Sequence, residues 1–232
     1  VYKRQVYAVS ENTAKPIYTG SLYEIEDGVF KIIAIDGYRM AIRSENVDSE
    51  SKNRFVVPGK TQHEVLKLLT DDEENTEIII GQRHITFKIK NYRIISRLIE
   101  GTFIEYKSAI PKETKTEVVI NTRTIIDAVE RMSLLNNDRI QSPVRCIFSD
   151  DEIKLSCTSA VGRANDVISV PIIGESVEIG FNNRYLLDAL KNADTDEIKL
   201  ILNGSLTAMI VKPVKGDSYL SIVCLLYTSD AA

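Results

Sequence analysis

Residues Leu22–Ile42, with the sequence LYEIEDGVFKIIAIDGYRMAI, carry the strongest fold signal in the chain. The stretch predicts three short strands joined by two Asp-Gly turns, because Asp-Gly favours the positive φ angles of a tight hairpin. Apolar residues recur along it: Leu22, Ile25, Val29, Ile32, Ile35, Met40 and Ile42. The second turn, at Asp36-Gly37, is followed directly by an aromatic, a guanidinium and a thioether side chain. Taken alone, the pattern indicates a β-meander.

The rest of the chain repeats one order of elements. The pattern of residues 22–98 predicts a group of three strands, then one further strand, a helix over Thr61–Leu69 and a second group of three strands. Residues 117–223 predict strand, helix from Asn121, three strands, strand, helix over Arg184–Asn192 and three strands. The second string contains the first, shifted by about 122 residues, and such self-similarity indicates a repeated unit. We therefore predict an α+β fold of repeated βαβββ units, with antiparallel sheets in one layer and helices in the other.

This repeat sets the expected domain boundaries at 6–112 and 113–224, the first domain lacking its opening strand and helix. Between the meander and the first helix, residues 43–53 are charged and predict a surface loop. Residues 1–5 and 225–232 break the pattern beside them, and we expect both ends to be non-native sequence. The chain is then expected to be a fragment of a longer protein.

Composition is that of a globular domain, with 44% hydrophobic and 27% charged residues. Three scattered cysteines, Cys146, Cys157 and Cys224, fit neither a disulfide framework nor a zinc site, and a reducing cytoplasm is expected. No apolar run reaches the length of a membrane span. The net charge of −4 argues against tight non-specific binding of nucleic acid by the chain as a whole.

Motifs for catalysis are weak. Pro58-Gly59-Lys60-Thr61 resembles the end of a phosphate-binding loop, but Arg54 stands where that motif needs a glycine. His63 and His84 have no partner pattern, and the acidic runs 71–74 and 150–152 lack the spacing of a calcium loop. We predict no enzyme activity, no cofactor and no metal. A nucleotide-binding enzyme or hydrolase using Lys60 and Thr61 is the rival from another class.

Three stretches together resemble the bacterial DNA polymerase III β subunit, the sliding-clamp family. They are Ala34–Ala41 (AIDGYRMA), Leu98–Pro111 (LIEGTFIEYKSAIP) and Ile179–Leu190 (IGFNNRYLLDAL), supported by Lys15–Gly20 and Tyr219–Val223. The match runs from Val6 to about Val223. The resemblance implies the middle and C-terminal domains of a clamp whose two protomers form a homodimeric ring around duplex DNA, with helices lining the channel. It also implies a cytoplasmic, nucleoid-associated protein.

The same resemblance implies a processivity factor that tethers the replicative polymerase. Because a ring holds DNA by topology, a few channel-facing basic residues suffice, and many phosphate contacts would slow sliding. By resemblance, the DNA-facing positions are Asn12, Lys15 and Lys60; the other basic residues on the helices are interspersed with acids. A β-rich interaction module with no role on DNA is the alternative function.

The family also has a pocket for short linear motifs of the polymerase III α subunit, the clamp loader and repair polymerases. Carried over by position, its wall is Tyr18, Ile35, Gly37, Tyr38, Arg39, Met40, Ile104, Ser108, Ala109, Asn182, Tyr185, Ala208 and Ile222. Met suits a site that accepts varied partners. Ile104 replaces the usual proline and Ser108 a commonly basic residue, and Cys224 is not followed by the family's Met-Pro-x-Arg-Leu end.

Overall fold

The computed structural model of the chain describes residues 5–49, 51–69, 76–135 and 142–226. By internal contacts the chain divides into two compact units, which meet in the sequence between Glu105 and Tyr106. The predicted domain boundaries remain a prediction. The acidic run at 71–74 lies outside the described residues.

The first unit contains two antiparallel sheets and one helix. The first sheet has the order β3-β2-β1-β4, with β1 Gly20–Glu26, β2 Val29–Ile35, β3 Arg39–Asn46 and β4 Asn53–Pro58. Helix α1 is Gly59–Leu68, and the second sheet consists of β5 Glu77–Ile80, β6 His84–Ile89 and β7 Tyr92–Arg97. Two 3-10 turns, Val6–Ala8 and Pro16–Thr19, precede β1.

Side chains that point alternately to the two faces of each strand form the core of this unit. Tyr23 and Ile32 face the same side of the first sheet, since they are partners across β1 and β2. They pack with Val65 of α1 and with alternate residues of β6, Ile85, Phe87 and Ile89. The core therefore lies between the two sheets and under one face of the helix.

Both predicted turns of the meander are confirmed. Asp27 and Gly28 have φ angles of 51° and 74°, so both central residues of the first hairpin occupy the left-handed region that Asp-Gly favours. At the second turn Gly37 has φ 97°. Asp36 Oδ1 accepts hydrogen bonds from the backbone N–H groups of Tyr38 (2.9 Å) and Arg39 (3.0 Å).

The first unit differs from the sequence-based expectation in three places. The expected loop over residues 43–53 begins late, because β3 stays paired with β2 as far as the Val29–Asn46 pair. On α1 the buried polar residue Gln62 was not foreseen: its Nε2 donates to Val57 O (2.8 Å) and its Oε1 accepts from Ser21 Oγ (3.1 Å). Leu66, Leu68 and Leu69, apolar residues of the predicted helix Thr61–Leu69, are only half-buried.

The second unit has two sheets and a pair of helices. One sheet has the order β12-β8-β14-β15-β16 and the other β11-β10-β9-β13. Their strands are β8 Thr116–Asn121, β9 Val144–Ser149, β10 Glu152–Ser159, β11 Gly162–Ser169, β12 Ile172–Gly174, β13 Val177–Phe181, β14 Glu197–Leu202, β15 Met209–Pro213 and β16 Tyr219–Val223. The helices are α2 Thr122–Ser133 and α3 Asn183–Lys191.

Asparagines fix the starts of both helices. Asn121 Oδ1 accepts from Thr124 N–H (3.0 Å), so Asn121 caps α2 where the sequence predicts a helix to begin, and Asn182 caps α3 in the same manner. The apolar residues Ile125, Ala128, Val129 and Met132, spaced at i, i+3, i+4 and i+7 along α2, are buried. Helices α2 and α3 pack together, and Lys191 Nζ lies 2.6 Å from Glu130 Oε1. That hydrogen bond lowers the pKa of Glu130.

The two units share a local detail that supports the internal repeat. After β7, Ile99 N–H donates to Val56 O of β4 (2.9 Å). After β16, Leu226 N–H donates to Gly180 O of β13 (2.9 Å), beside a bridge between Phe181 and Leu225. Strand β12 was not predicted, since it spans only three residues between Pro171 and Glu175. No helix among the described residues is long and apolar enough to cross a membrane.

The backbone at Gly174, in the edge strand β12, leaves no room for a side chain. Its φ is 115°, and a Cβ built there would lie 1.9 Å from Lys115 O. We expect Gly174→Ala to lower the free energy of unfolding by about 3 kcal/mol, from left-handed strain plus a backbone clash. Gly204→Ala is the matched control: φ is 87° with open space around the site, so only about 1 kcal/mol of strain is expected. Urea denaturation measures both, and equal losses would contradict close packing of β12 on β8.

The Asp36–Arg39 pair at the second turn is largely buried. Arg39 Nε lies 2.7 Å from Asp36 Oδ2, with side chains 9% and 11% exposed. We expect Asp36→Ala to cost about 3 kcal/mol, since it removes the carboxylate beside a largely buried guanidinium and the hydrogen bonds to the turn. Glu64→Ala breaks the exposed pair with Lys67, also three residues apart, and should cost below about 0.5 kcal/mol. Comparable losses in urea titrations would show that the turn does not depend on the pair.

Candidate functional site

The β2–β3 turn gathers five of the predicted pocket residues: Ile35, Gly37, Tyr38, Arg39 and Met40. Ile35 and Met40 are cross-strand partners at the base of the turn. Met40 is buried and Ile35 half-buried, whereas the Tyr38 side chain is exposed at the tip. The turn therefore combines an apolar base with an exposed aromatic ring.

Arg39 is held in place from two sides. Besides the contact with Asp36, its guanidinium carbon lies 5.3 Å from the centre of the Tyr7 ring, within range of a cation–π interaction. The sequence-based prediction included neither Tyr7 nor Asp36. Asp36 could have been found from its position at the start of the turn. Nothing in the local sequence links Tyr7 to Arg39, which lies far along the chain.

Tyr18 and Ile104 belong to the same unit. The Tyr18 ring packs edge-on against Phe103, with ring centres 5.7 Å apart, and Tyr18 O accepts a hydrogen bond from Ser10 N–H. Ile104 follows Phe103 directly and is exposed. The aromatic contact thus connects the 3-10 turn at Pro16–Thr19 with the segment that leads out of the unit.

The remaining predicted pocket residues lie in the second unit. Asn182 Oδ1 accepts from the N–H groups of Arg184 (2.9 Å) and Tyr185 (3.3 Å), and Tyr185 is half-buried against the core. Helix α3 contacts β16, which carries the buried Ile222. Ala208 stands just before β15, while Ser108 and Ala109 are exposed in the 3-10 turn Tyr106–Ala109. The structure therefore brings Asn182, Tyr185 and Ile222 onto contacting elements.

The three predicted DNA-facing residues are all exposed. Asn12 and Lys15 lie in the loop between Val9 and Thr19, and Lys60 is in the first turn of α1. Both ends of that loop touch the start of the helix: a Cβ at Gly59 would lie 2.9 Å from Val9 Cγ1 and 3.1 Å from Thr19 O. The loop and the helix start thus belong to one packed surface.

Lys15 and Lys60 differ from most basic residues on the helices in that they have no ion-pair partner among the described residues. Neither Lys15 nor Lys60 forms an ion pair within the described part of the chain. Four other helical cations each contact a carboxylate, in the pairs Lys67–Glu64, Arg123–Asp127, Arg131–Asp166 and Lys191–Glu130. Unpaired cations contribute more to an external electrostatic field than neutralised ones do.

Groups that could support catalysis have other contacts. The Thr61 hydroxyl is 2.6 Å from Ser96 Oγ, so it is engaged within the unit. Burial raises the pKa of the Cys146 thiol to about 12, which leaves almost no thiolate at neutral pH. In the described ranges no cluster of three His, Cys, Asp or Glu side chains is placed to hold a metal ion.

Comparison with known proteins covers nearly the whole chain. Residues 1–105 match the family model of the DNA polymerase III beta subunit, central domain, and residues 107–226 match its C-terminal domain. The beta sliding clamps of Halalkalibacterium halodurans and Bacillus subtilis are each 30% identical, over 96% and 95% of this chain. The chain spans about 60% of the length of both relatives.

Solved structures agree. The DNA polymerase sliding clamp from Bacillus subtilis superposes with a TM-score of 0.95 at 29% identity, over 98% of this chain and 61% of that one. The DNA polymerase III subunit beta from Pseudomonas aeruginosa gives a TM-score of 0.90 at 26% identity, over 96% and 62%. With both domain models matched in order and the fold in agreement, this chain belongs to the DNA polymerase III beta subunit family.

Proposed function

We propose that the chain is part of a DNA sliding clamp, a non-enzymatic processivity factor of bacterial DNA replication. The observation that carries the proposal is the match of the central and C-terminal domain models in sequence order. In the whole protein, a homodimeric ring would encircle duplex DNA and tether the polymerase III α subunit, the clamp loader and repair polymerases. The proposed location is the cytoplasm, at the nucleoid.

Charge distribution supports sliding rather than tight DNA binding. The chain carries a net charge of −4, and four of the helical cations are neutralised locally. Lys15 and Lys60 are exposed cations with no carboxylate contact in the described ranges. We propose that these two, with Asn12, meet the phosphate backbone. Few contacts give weak affinity with a shallow salt dependence, which suits a protein retained by topology.

The proposed peptide pocket combines apolar surface with positioned polar groups. Met40, Tyr185 and Ile222 would supply contacts for aliphatic and aromatic side chains of a linear motif. Arg39 is fixed by Asp36 and Tyr7, so its donors would be ordered before a peptide arrives, which lowers the entropy cost of binding. The full proposed wall is Tyr18, Ile35, Gly37, Tyr38, Arg39, Met40, Ile104, Ser108, Ala109, Asn182, Tyr185, Ala208 and Ile222.

The edge of the second unit supports a ring-forming contact. β11 is the last strand of its sheet and pairs with β10 on one side only, within the described residues. Val161 and Val167 beside this edge are exposed, and Leu134, just after α2, is 82% exposed. Arg131 and Asp166 connect α2 to β11 by an ion pair. An open strand edge with exposed apolar neighbours is a surface that pairs with another domain.

Pocket variants test peptide binding on this chain directly. The probe is a fluorescein-labelled peptide from the clamp-binding segment of a polymerase. We expect Met40→Lys and Tyr185→Ala each to lower its binding affinity by at least about 100-fold, because a buried charge or a lost aromatic contact removes an anchor. Fluorescence anisotropy measures affinity, and thermal melts check folding. Tyr92→Ala, which truncates an exposed tyrosine outside the proposed wall, is the control. Unchanged affinity in folded Met40→Lys and Tyr185→Ala proteins would reject these residues as pocket components.

Retention on DNA separates a clamp from an interaction module. A chimera would join this chain to the N-terminal part of the Bacillus subtilis clamp that it does not cover. After loading by a clamp loader, we expect the ring to stay on nicked circular DNA and to leave linear DNA by its ends. Gel filtration with labelled DNA measures retention on the two substrates. Equal loss from both would favour the module without a role on DNA.

A further inference from the structure

A cleft on the first unit is lined by none of the residues assigned above to peptide or DNA binding, although Phe103, which lines it, packs on Tyr18. Its volume is about 440 Å³, in the range of ligand sites. The apolar part of its lining includes Leu22, Val56, Leu98 and Phe103, and Arg54 and Arg83 also line it. Leu22 and Val56 are cross-strand partners, as are Glu24 and Arg54, so these side chains share one face of the sheet.

The guanidinium N–H groups of the two arginines make no hydrogen bonds within the described residues. Arg54 Nε lies 3.8 Å from Glu24 Oε2, and Arg83 Nε lies 3.7 Å from Glu100 Oε1. Both distances exceed hydrogen-bond length, and neither guanidinium donates a hydrogen bond to any described residue. Their side chains are 45% and 71% exposed. A guanidinium in this state can bind an incoming carboxylate through two parallel hydrogen bonds.

The backbone of β4 offers a further contact at the same place. Val56 O accepts from Ile99 N–H on the edge of β4 that faces away from β1. In an antiparallel strand the backbone groups of residues i and i+2 point to the same edge, so those of Arg54 point to this edge as well. Within the described residues, Arg54 has no backbone partner there. An extended chain could continue the sheet beside Arg54.

We propose that this cleft binds an extended acidic segment of a partner protein. The segment would pair with the free edge of β4 at Arg54 and place an aliphatic side chain against Leu22, Val56 and Leu98. Its carboxylates would bind Arg54 and Arg83. The strand edge favours a peptide over a small carboxylic acid, because a small acid would use the arginines and leave the backbone groups unpaired. The cleft shares no residue with the proposed peptide pocket.

A synthetic peptide tests the proposal on the chain as it stands. The probe is fluorescein-labelled Gly-Val-Glu-Leu-Glu-Val, and the control peptide has both glutamates replaced by glutamine. We expect saturable binding of the acidic peptide, with Arg54→Gln and Arg83→Gln each weakening it about tenfold through loss of a charge-assisted hydrogen bond. Arg93→Gln is the matched control, because Arg93 is an exposed arginine of β7 that does not line the cleft. It should leave affinity unchanged.

Amide chemical shifts locate the bound peptide. Changes centred on residues 54–56 and 98–103 that vanish in the Arg54→Gln, Arg83→Gln double variant would support the proposal. Three outcomes would overturn it: no binding up to about 1 mM peptide, equal binding of the glutamine peptide, or loss of binding in Met40→Lys but not in the arginine variants. The last would place the acidic peptide in the proposed peptide pocket, and it would leave the clamp function itself untouched.

Discussion

The register of the β1–β2–β3 meander is the constraint on which the first unit depends. A slip of one residue would turn every side chain of a strand to the opposite face. The left-handed pair Asp27-Gly28 closes the first hairpin so that Glu26 meets Val29, and Tyr23 then meets Ile32 in the core. At the other end, Asp36 accepts the turn's backbone hydrogens and aligns Ile35 with Met40. The five residues of the β2–β3 turn that are proposed for peptide binding are in place because two short turns fix this register.

Local chemistry made most of the fold predictable from the sequence. Asp-Gly pairs and Asn121 before an apolar stripe act over a few residues, and the repeated order of elements extends the prediction along the chain. Together they lead to the observed strands and helices. Strand β12 could not be foreseen, since three residues beside Pro171 carry no periodicity. Gln62 was missed for a related reason: its burial depends on Ser21 and Val57, which the fold brings to it.

The candidate site stays a proposal that rests on resemblance far more than on local pattern. Tyr38, Arg39 and Met40 looked unusual after a turn, but only the family match gave them a role. The stacking of Tyr7 on Arg39 and the joint exposure of Arg54 and Arg83 arise from tertiary structure, and no spacing in the sequence encodes them. The ion pairs of the helical cations likewise include contacts that form only in the folded chain. Arg131, for example, meets Asp166 on a strand that follows much later in the chain.

The close approach of Gly59 to Val9 and Thr19 has a mechanical consequence. Any larger residue at Gly59 would push the loop that carries Asn12 and Lys15 away from the helix that carries Lys60. With glycine there, the loop ends lie against the helix start, and the backbone positions of the two lysines belong to one packed surface. The absence of a single side chain thus permits the close packing of a surface that is formed by two separate parts of the chain.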